Sequence, residues 1–378
     1  MNPWKTGLTA IAIALSVAAC GSSSSDSSPA PTPAPTGFDF DASTMIDNLT
    51  DNVMVSGYQN LATALDNLHL AADNLRNVPT QANLDKAKLA WQAARQPWEQ
   101  GESHIFGPID ALSIDPHLDS WPLNTTDLQA QLLNNNSFDA DTIKTWNDDV
   151  QGFHTMEFLL FGDGVADNNK TIAELTESER EYLVALAETA ADYGESLENA
   201  WISAYDGGAA YADNLKDANN NFYGSDLAVV EELINGMVGI VDEVGNGKIA
   251  DPFGASIDAA DTSLVESQYS WNSLLDFADN IRGVQNVYRG EFATATDRPG
   301  IIDFVRAGDE ALASRIDNEI AAAIAAIEAI GGDSNMPFRQ AITDNDGRVR
   351  IQAAVDALST LQSSLETDAI ALMGQWNG

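Results

Sequence analysis

Apolar residues recur at intervals of three and four along almost the whole chain after residue 38. This spacing places them on one face of an α-helix, whereas alternating β-branched runs bounded by tight-turn dipeptides are nearly absent. The clearest apolar stripes lie within residues 61–75, 182–201, 227–241, 302–327 and 337–373. We therefore predict an all-α body.

Polar segments interrupt the stripes at residues 134–137, 163–170 and 206–225. The longest of them, 206–225, is rich in Gly, Asn and Asp and is the best candidate for a domain boundary. A body of about 340 residues is long for a single hydrophobic core. We predict two packed helical bundles, residues 38–220 and 221–378.

The first residues have the layout of an export signal. Lys5 precedes an apolar stretch at residues 8–19, which is too short to span a bilayer and ends at Cys20. Residues 17–20 resemble a bacterial lipobox, so we predict a signal peptide at 1–19 and lipidation of Cys20. Residues 20–37 are mostly Ser, Pro, Thr and Ala, which predicts a disordered tether. We expect an exported protein on the outer membrane or the periplasmic face, with membrane contact only through its lipid.

The charge narrows the choice of partners. The chain has 57 acidic and 18 basic residues and a formal net charge of −39. Such a surface repels nucleic acid, which we exclude as a partner, and it concentrates cations.

Residues 82–106 contain charged groups on a face that should be apolar. That face consists of Leu84, Ala87, Trp91, Arg95, Trp98 and Glu102. A buried ion without a partner costs several kcal/mol, so Arg95 and Glu102 require compensating groups. Glu99 and Glu102 are three positions apart and can both lean toward one ligand.

Residues 146–161 show the same conflict. We predict a helix whose apolar face, Trp146, Val150, Phe153 and Leu160, also contains Glu157. His154 and Glu157 then lie on adjoining parts of one face, and imidazole with carboxylate suits iron, zinc or manganese. Further donors are needed, and the nearest acidic candidates are Glu99, Glu102, Asp110 and Asp115. Spacing alone favours another arrangement, a buried polar network in which His154 and Glu157 pair with each other or with Arg95.

Local chemistry gives little support for catalysis. Zinc peptidases place a second histidine on the metal-binding helix, and none follows Glu157. The sequence also has no Gly-x-Ser-x-Gly elbow, phosphate loop or nucleophilic cysteine. Whether the protein is an enzyme therefore stays open, although the sequence pattern argues against catalysis.

Several segments together resemble the imelysin-like family. Residues 152–157 are similar to its Gly-x-His-x-x-Glu signature, and the resemblance extends over residues 91–110, 120–123, 248–254 and 269–288. It implies two helical bundles with the signature at their interface. The family was named for an insulin-cleaving peptidase, yet many members are iron-regulated lipoproteins or periplasmic iron-uptake components.

The resemblance implies a metal ion, iron foremost and zinc as the alternative. It implicates Glu102, and with it Glu99, Asp110 and Asp115, beside His154 and Glu157. Groups expected to support the site are Arg95, Trp98, Gly152, Ser270 and Asp276. We expect a role in iron uptake with an outer-membrane or transport partner protein. The alternatives are an imelysin-type metallopeptidase and a metal-free module that binds a peptide or partner protein.

Overall fold

The computed structural model describes residues 37–135, 137–292 and 298–377. The predicted signal peptide, the lipidated Cys20 and nearly all of the tether lie outside these residues. The described part contains eighteen α-helical segments: α1 Ser43–Asn48, α2 Ser56–Asn77, α3 Gln81–Gly101, α4 Pro108–Ala111, α5 Ile114–Leu118, α6 Thr125–Asn134, α7 Ala140–Ile143, α8 Gly152–Phe161, α9 Glu177–Ile202, α10 Tyr211–Lys216, α11 Asp226–Asp242, α12 Ala250–Phe253, α13 Ser273–Arg289, α14 Ile301–Gly308, α15 Glu310–Glu328, α16 Phe338–Ala341, α17 Asn345–Ser363 and α18 Ile370–Met373.

Two other kinds of helix connect these segments. Turns of π-helix continue the α-helices at Leu49–Val55, Glu243–Ile249 and Ser364–Ala369. Short 3₁₀ turns lie at Glu102–His104, Asp148–Val150, Ile257–Ala259, Thr262–Leu264 and Ala329–Ser334. An isolated β bridge joins Phe38 to Trp376. The prediction of an all-α fold is confirmed.

Three predicted helices differ from the structure in their ends. The helix predicted from the stripe at 227–241 does not end there, because the chain continues after α11 as a π-helix to Ile249. The stripe at 302–327 is divided by Asp309, whose side chain accepts hydrogen bonds from the first amides of α15. The final stripe is divided by Asp344, which caps α17 in the same way.

The signature helix is also shorter than predicted. It begins at Gly152, so Trp146 and Val150 precede it and do not belong to its apolar face. Nearly every residue of α8 is buried, which means that burial of Glu157 does not depend on a particular face.

The long helices pack around one continuous hydrophobic core. In the first half, α2 lies against α3 and α9, and α8 lies against α3 and α9. In the second half, α15 lies between α13 and α17, while α11 contacts α13 and α17. Helices α3 and α13 join the halves, and residues 37–378 form one compact unit. The boundary near residues 206–225 stays a prediction. Among the described helices, none combines the length and apolar character that crossing a bilayer requires.

Candidate metal centre

Buried charged side chains meet where the two halves of the fold join. The first half contributes residues of α3 and α8, Glu102 from the 3₁₀ turn after α3, and Asp119, which follows α5. The second half contributes Lys248 from the π-helix, Glu266 from the loop before α13, and Asp276 from α13. We call these residues, with Arg95, Glu99, Glu102, His154 and Glu157, the interface cluster.

Arg95 is the centre of this cluster. Its side chain is fully buried. One guanidinium nitrogen contacts Asp119, and the other contacts Glu99, lies 2.9 Å from a Glu266 oxygen and lies 3.3 Å from an Asp276 oxygen. A planar group with several donors is suited to holding four carboxylates in fixed directions.

His154 lies between two sets of carboxylates. Its Nδ1 is 3.1 Å from Glu157, one turn away on α8. Its Nε2 faces the other way and is 3.1 Å from Asp119 and 3.9 Å from Glu266, with no hydrogen bond of acceptable geometry. The Trp121 ring covers the imidazole edge-on, with ring centres 4.7 Å apart. The Nε2 atom is therefore buried, aimed at two acids and unsatisfied.

Glu157 is held by the loop before α13. One of its oxygens accepts hydrogen bonds from the amides of Tyr269 and Ser270 at 3.0 and 2.7 Å and from the Ser270 hydroxyl at 2.7 Å. The other oxygen faces His154 Nδ1. The geometry therefore gives Glu157 the task of fixing the orientation of the imidazole, since a carboxylate behind a histidine sets which nitrogen is free.

A lysine neutralises the other end of the cluster. The Lys248 ammonium lies 2.8 Å from Glu102, 3.5 Å from Glu99 and 3.3 Å from Glu266. The fully buried Asn280 amide also donates hydrogen bonds to the Glu99 and Glu102 carboxylates. Lys248 is 9% exposed, which is unusual for a lysine and is tolerated because three acids surround it.

Burial and pairing displace several pKa values in the cluster. Burial acts to lower the pKa of His154, but the Asp119 and Glu157 carboxylates that face its two ring nitrogens outweigh this effect and raise the pKa to about 9. Burial raises the pKa of Asp276 to about 8, with Arg95 opposing it only in part. For Asp119, burial is outweighed by Arg95, which keeps the pKa of that carboxyl well below its usual range. The cluster therefore contains both ionised and protonated acids near neutral pH.

Backbone conformation positions the two halves of the site. Gly152 starts α8 with a φ of 73°, a conformation that favours glycine, and packs against the main chain of Leu118. In the loop that carries Glu266, Ser267 and Trp271 adopt φ values of 49° and 64°. Such conformations cost energy in residues other than glycine and concentrate at functional sites.

The predicted site residues divide into two groups. The structure brings together most of them, namely Arg95, Trp98, Glu99, Glu102, His154, Glu157, Ser270 and Asp276; Trp98 donates to Asp119 at 2.6 Å. Asp110 lies exposed on the short helix α4, and no described contact joins it to the interface cluster. Asp115 lines a neighbouring cavity of about 390 Å³ with Glu102, Glu232 and Glu243, which we call the acidic cavity.

Three residues of the interface cluster were not predicted as site residues from the sequence. Asp119 and Glu266 lie in loops, where helical periodicity assigns no face, and Lys248 lies beyond the end of the apolar stripe at 227–241. The signal that could have found Asp119 and Lys248 is position, because they stand at the borders of segments 120–123 and 248–254. Glu266 offers no such sign except its closeness to Tyr269.

The raised pKa values predict how stability depends on pH. A group whose pKa is higher in the folded state stabilises the protein below its unfolded pKa, and this contribution is lost as the pH rises through the folded value. For His154 the window runs from 6.5 to about 9, and Asp276 loses its contribution in the same direction up to about 8. We expect the free energy of unfolding, measured with urea, to fall by about 1–3 kcal/mol across this window.

The same titration on His154→Gln should give a shallower fall, because the variant lacks the imidazole proton. If the free energy of unfolding of the parent protein stayed constant or rose across this pH window, the raised pKa values of His154 and Asp276 would be contradicted.

The cluster offers two sets of three ligand atoms within 4.8 Å of one another. One set is Asp119, His154 and Glu266, and the other is Glu99, Glu266 and Asp276. Arg95 lies against the acids of both sets. Only the first set includes an imidazole, and only there does a ligand atom lack a hydrogen bond. We call it the His154 triad.

The sequence profile of the imelysin family matches residues 54–365, which include the whole interface cluster. The chain belongs to the imelysin family. The family resemblance seen in the sequence is thereby confirmed. Residues 152–157 lie at the junction of the two halves.

Imelysin-family relatives extend over most of the chain. Iron-regulated protein A of Synechococcus elongatus is 28% identical over 330 residues, covering 87% of this chain and 86% of the relative. A crystal structure described as an iron-regulated protein A precursor from Parabacteroides distasonis superposes with a TM-score of 0.76 at 29% identity, covering 88% of this chain and 94% of that one. An imelysin-like protein from Psychrobacter arcticum has the same fold, with a TM-score of 0.69 at 15% identity over 90% and 99% of the two chains.

Proposed function

We propose that this imelysin-family protein binds a divalent transition metal ion outside the cytoplasm, as part of iron uptake. The observation that carries the proposal is His154 Nε2, a buried ring nitrogen without a hydrogen bond that faces Asp119 and Glu266. Buried polar atoms are nearly always paired, so an unpaired one aimed at two acids requires an explanation. A cation shared by all three groups supplies one.

The spacing of the triad supports this proposal. Ligands that each lie about 2.1 Å from an ion are about 3.0–3.4 Å apart in octahedral or tetrahedral geometry. The His154 nitrogen lies 3.1 Å and 3.9 Å from the two carboxylate oxygens. Small side-chain movements would therefore suffice to bind an ion.

The surrounding residues have complementary roles in this proposal. Glu157 would accept a hydrogen bond from the Nδ1–H group and leave Nε2 free for the metal. Arg95, which contacts Asp119 and Glu266 of the triad as well as Glu99 and Asp276, would balance part of the acidic charge around the ion. Trp121 would exclude solvent from the imidazole. Glu157 Oε1 already accepts three hydrogen bonds, so we assign this residue to orientation and not to proton transfer.

Iron is the expected physiological ion for two reasons. Imidazole with carboxylate suits iron, manganese and zinc, and two relatives carry the description iron-regulated protein A, one of them as a precursor. We further propose that the protein is exported, is attached through the lipid on Cys20, and passes the ion to a transport partner in the envelope.

Calorimetric titration of the purified protein with Mn(II), Zn(II) and anaerobic Fe(II) tests the proposal. We expect saturable binding of one ion, weakened about tenfold or more in Asp119→Asn, His154→Gln and Glu266→Gln because each loses a ligand. Asp141→Asn is the matched control, since it makes the same chemical change on a side chain that is 98% exposed. Equal affinities in all four variants, or no binding to the parent, would rule the site out.

A further inference from the structure

The Lys248 ammonium occupies a position that a metal ion could fill. The three acids around it, Glu99, Glu102 and Glu266, lie 2.8 to 3.5 Å from its nitrogen. We call these three residues the lysine cage. Carboxylate oxygens converging on one point are the environment that divalent cations such as Mn(II) prefer.

The cage adjoins the His154 triad. Glu266 belongs to both, because its carboxylate lies 3.9 Å from His154 Nε2 and 3.3 Å from the Lys248 nitrogen. An ion at the triad and a cation in the cage would therefore share a bridging carboxylate.

The cage also adjoins an open space. Glu102 accepts from Lys248 and at the same time lines the acidic cavity with Asp115, Glu232 and Glu243. The cavity, with its four acids, would concentrate cations beside the cage.

The Asn280 amide beside the lysine cage has an oxygen without a hydrogen-bond partner. Asn280 is fully buried and donates from its nitrogen to Glu99 and Glu102, while its oxygen has no hydrogen-bond partner. A half-turn of the amide would exchange the two atoms and turn an oxygen ligand toward the cage. An unsatisfied buried oxygen is costly in the lysine-filled state, and after the half-turn the same oxygen would be a fourth donor for a metal in the cage.

Lysine and arginine differ in how easily they can leave such a position. Arg95 binds four acids through a rigid fork, whereas Lys248 carries a point charge on a flexible stem. Lys248 also lies on a π-helix between α11 and α12, close to Gly245 and Gly247. Turns of π-helix of this kind frequently mark functional positions.

We infer that Lys248 is an internal cation that keeps a second metal position closed. This inference rests on the proposed function, because the first ion is the one bound by the His154 triad. Loss of the ammonium opens the lysine cage, and the protein then binds two ions bridged by Glu266.

Mn(II) titration of Lys248→Met, followed by calorimetry and electron paramagnetic resonance, tests the inference. We expect one ion in the parent and two in the variant, with the second bound about tenfold or more tighter than any second ion in the parent, since a nearby positive charge is gone. Two ions that share a carboxylate should give a spin-coupled spectrum. Loss of a merely structural lysine would lower stability and leave the stoichiometry unchanged.

Three further variants complete the experiment. Lys86→Met removes an exposed lysine on α3 and should bind one ion like the parent, and Lys248→Arg should also bind one because it keeps the charge. If Lys248→Met does not fold, Lys248→Gln keeps a hydrogen-bond donor and allows the same comparison.

Two results would separate this inference from the proposed function. One uncoupled ion in both the parent and the Lys248 variants would overturn the inference and leave the proposed function intact. No binding to the parent together with binding of one ion to Lys248→Met would contradict the proposed function, and with it the bridged pair of ions, while showing that Lys248 closes the cage.

Discussion

Arg95→Met should lower the free energy of unfolding by about 3–5 kcal/mol. The substitution keeps most of the side-chain volume but leaves Glu99, Asp119, Glu266 and Asp276 without their shared cation in a buried site. Removing one partner of a buried ion network costs more than the network contributes, because the remaining charges stay desolvated. Urea unfolding of the parent and the variant measures the loss.

A matched control and a rescue make this prediction specific. Arg315→Met removes an arginine whose side chain is 50% exposed and pairs with Asp368, so it should cost about 0–1 kcal/mol. Mn(II) should raise the melting temperature of Arg95→Met more than that of the parent, because an added cation replaces part of the missing charge. A loss as small as that of the control would contradict the central role of Arg95.

Gly152→Ala should have an effect of similar size. At a φ of 73°, a side chain strains the backbone, and the new Cβ would collide with the main-chain carbonyl of Leu118. Main-chain atoms cannot move aside as the end of a flexible side chain can, so the start of α8 must shift, and His154 with it. We expect a loss of about 3 kcal/mol or more, measured by urea unfolding.

The matched control for this change is Gly57→Ala. Gly57 has helical geometry inside α2, and a Cβ there would meet no atom within 4 Å. Alanine should stabilise that helix by about 0.5–1 kcal/mol. If both alanine variants change the free energy of unfolding by the same amount, the positive φ of Gly152 does not explain why glycine occupies this position.

The fold was predictable from the sequence because apolar spacing is a local property. Stripes such as 61–75 and 182–201 correspond to α2 and α9. The predicted stripe residues of α2 are buried, whereas α9 also buries residues outside its stripe, such as Leu183 and Val184. The predicted ends were less accurate. Asp309 and Asp344 cap new helices inside predicted ones, and Gly245 and Gly247 are accommodated in a π-helix.

Site residues could be predicted from the sequence only where a charged residue lies on the apolar face of a predicted helix. Arg95, Glu102 and Glu157 conflict with apolar stripes, and that conflict was visible in the sequence. Asp119 and Glu266 come from loops, so their approach to His154 depends on how α3, α8 and α13 pack and not on local spacing. The different roles of His154 and Glu157 likewise could not be predicted from the sequence. They follow from the structure, in which Glu157 accepts hydrogen bonds from the amides of Tyr269 and Ser270.

The bridge between Phe38 and Trp376 brings the beginning and the end of the folded body to one spot. The amide of Phe38 donates to Gln375 at 3.1 Å, and the amide of Asn377 donates to Phe38 at 3.0 Å. The Trp376 indole adds a bond of 3.0 Å to Phe40. A fluorophore or affinity handle attached at either terminus of this body would therefore report on the same surroundings, and two such labels would be near neighbours.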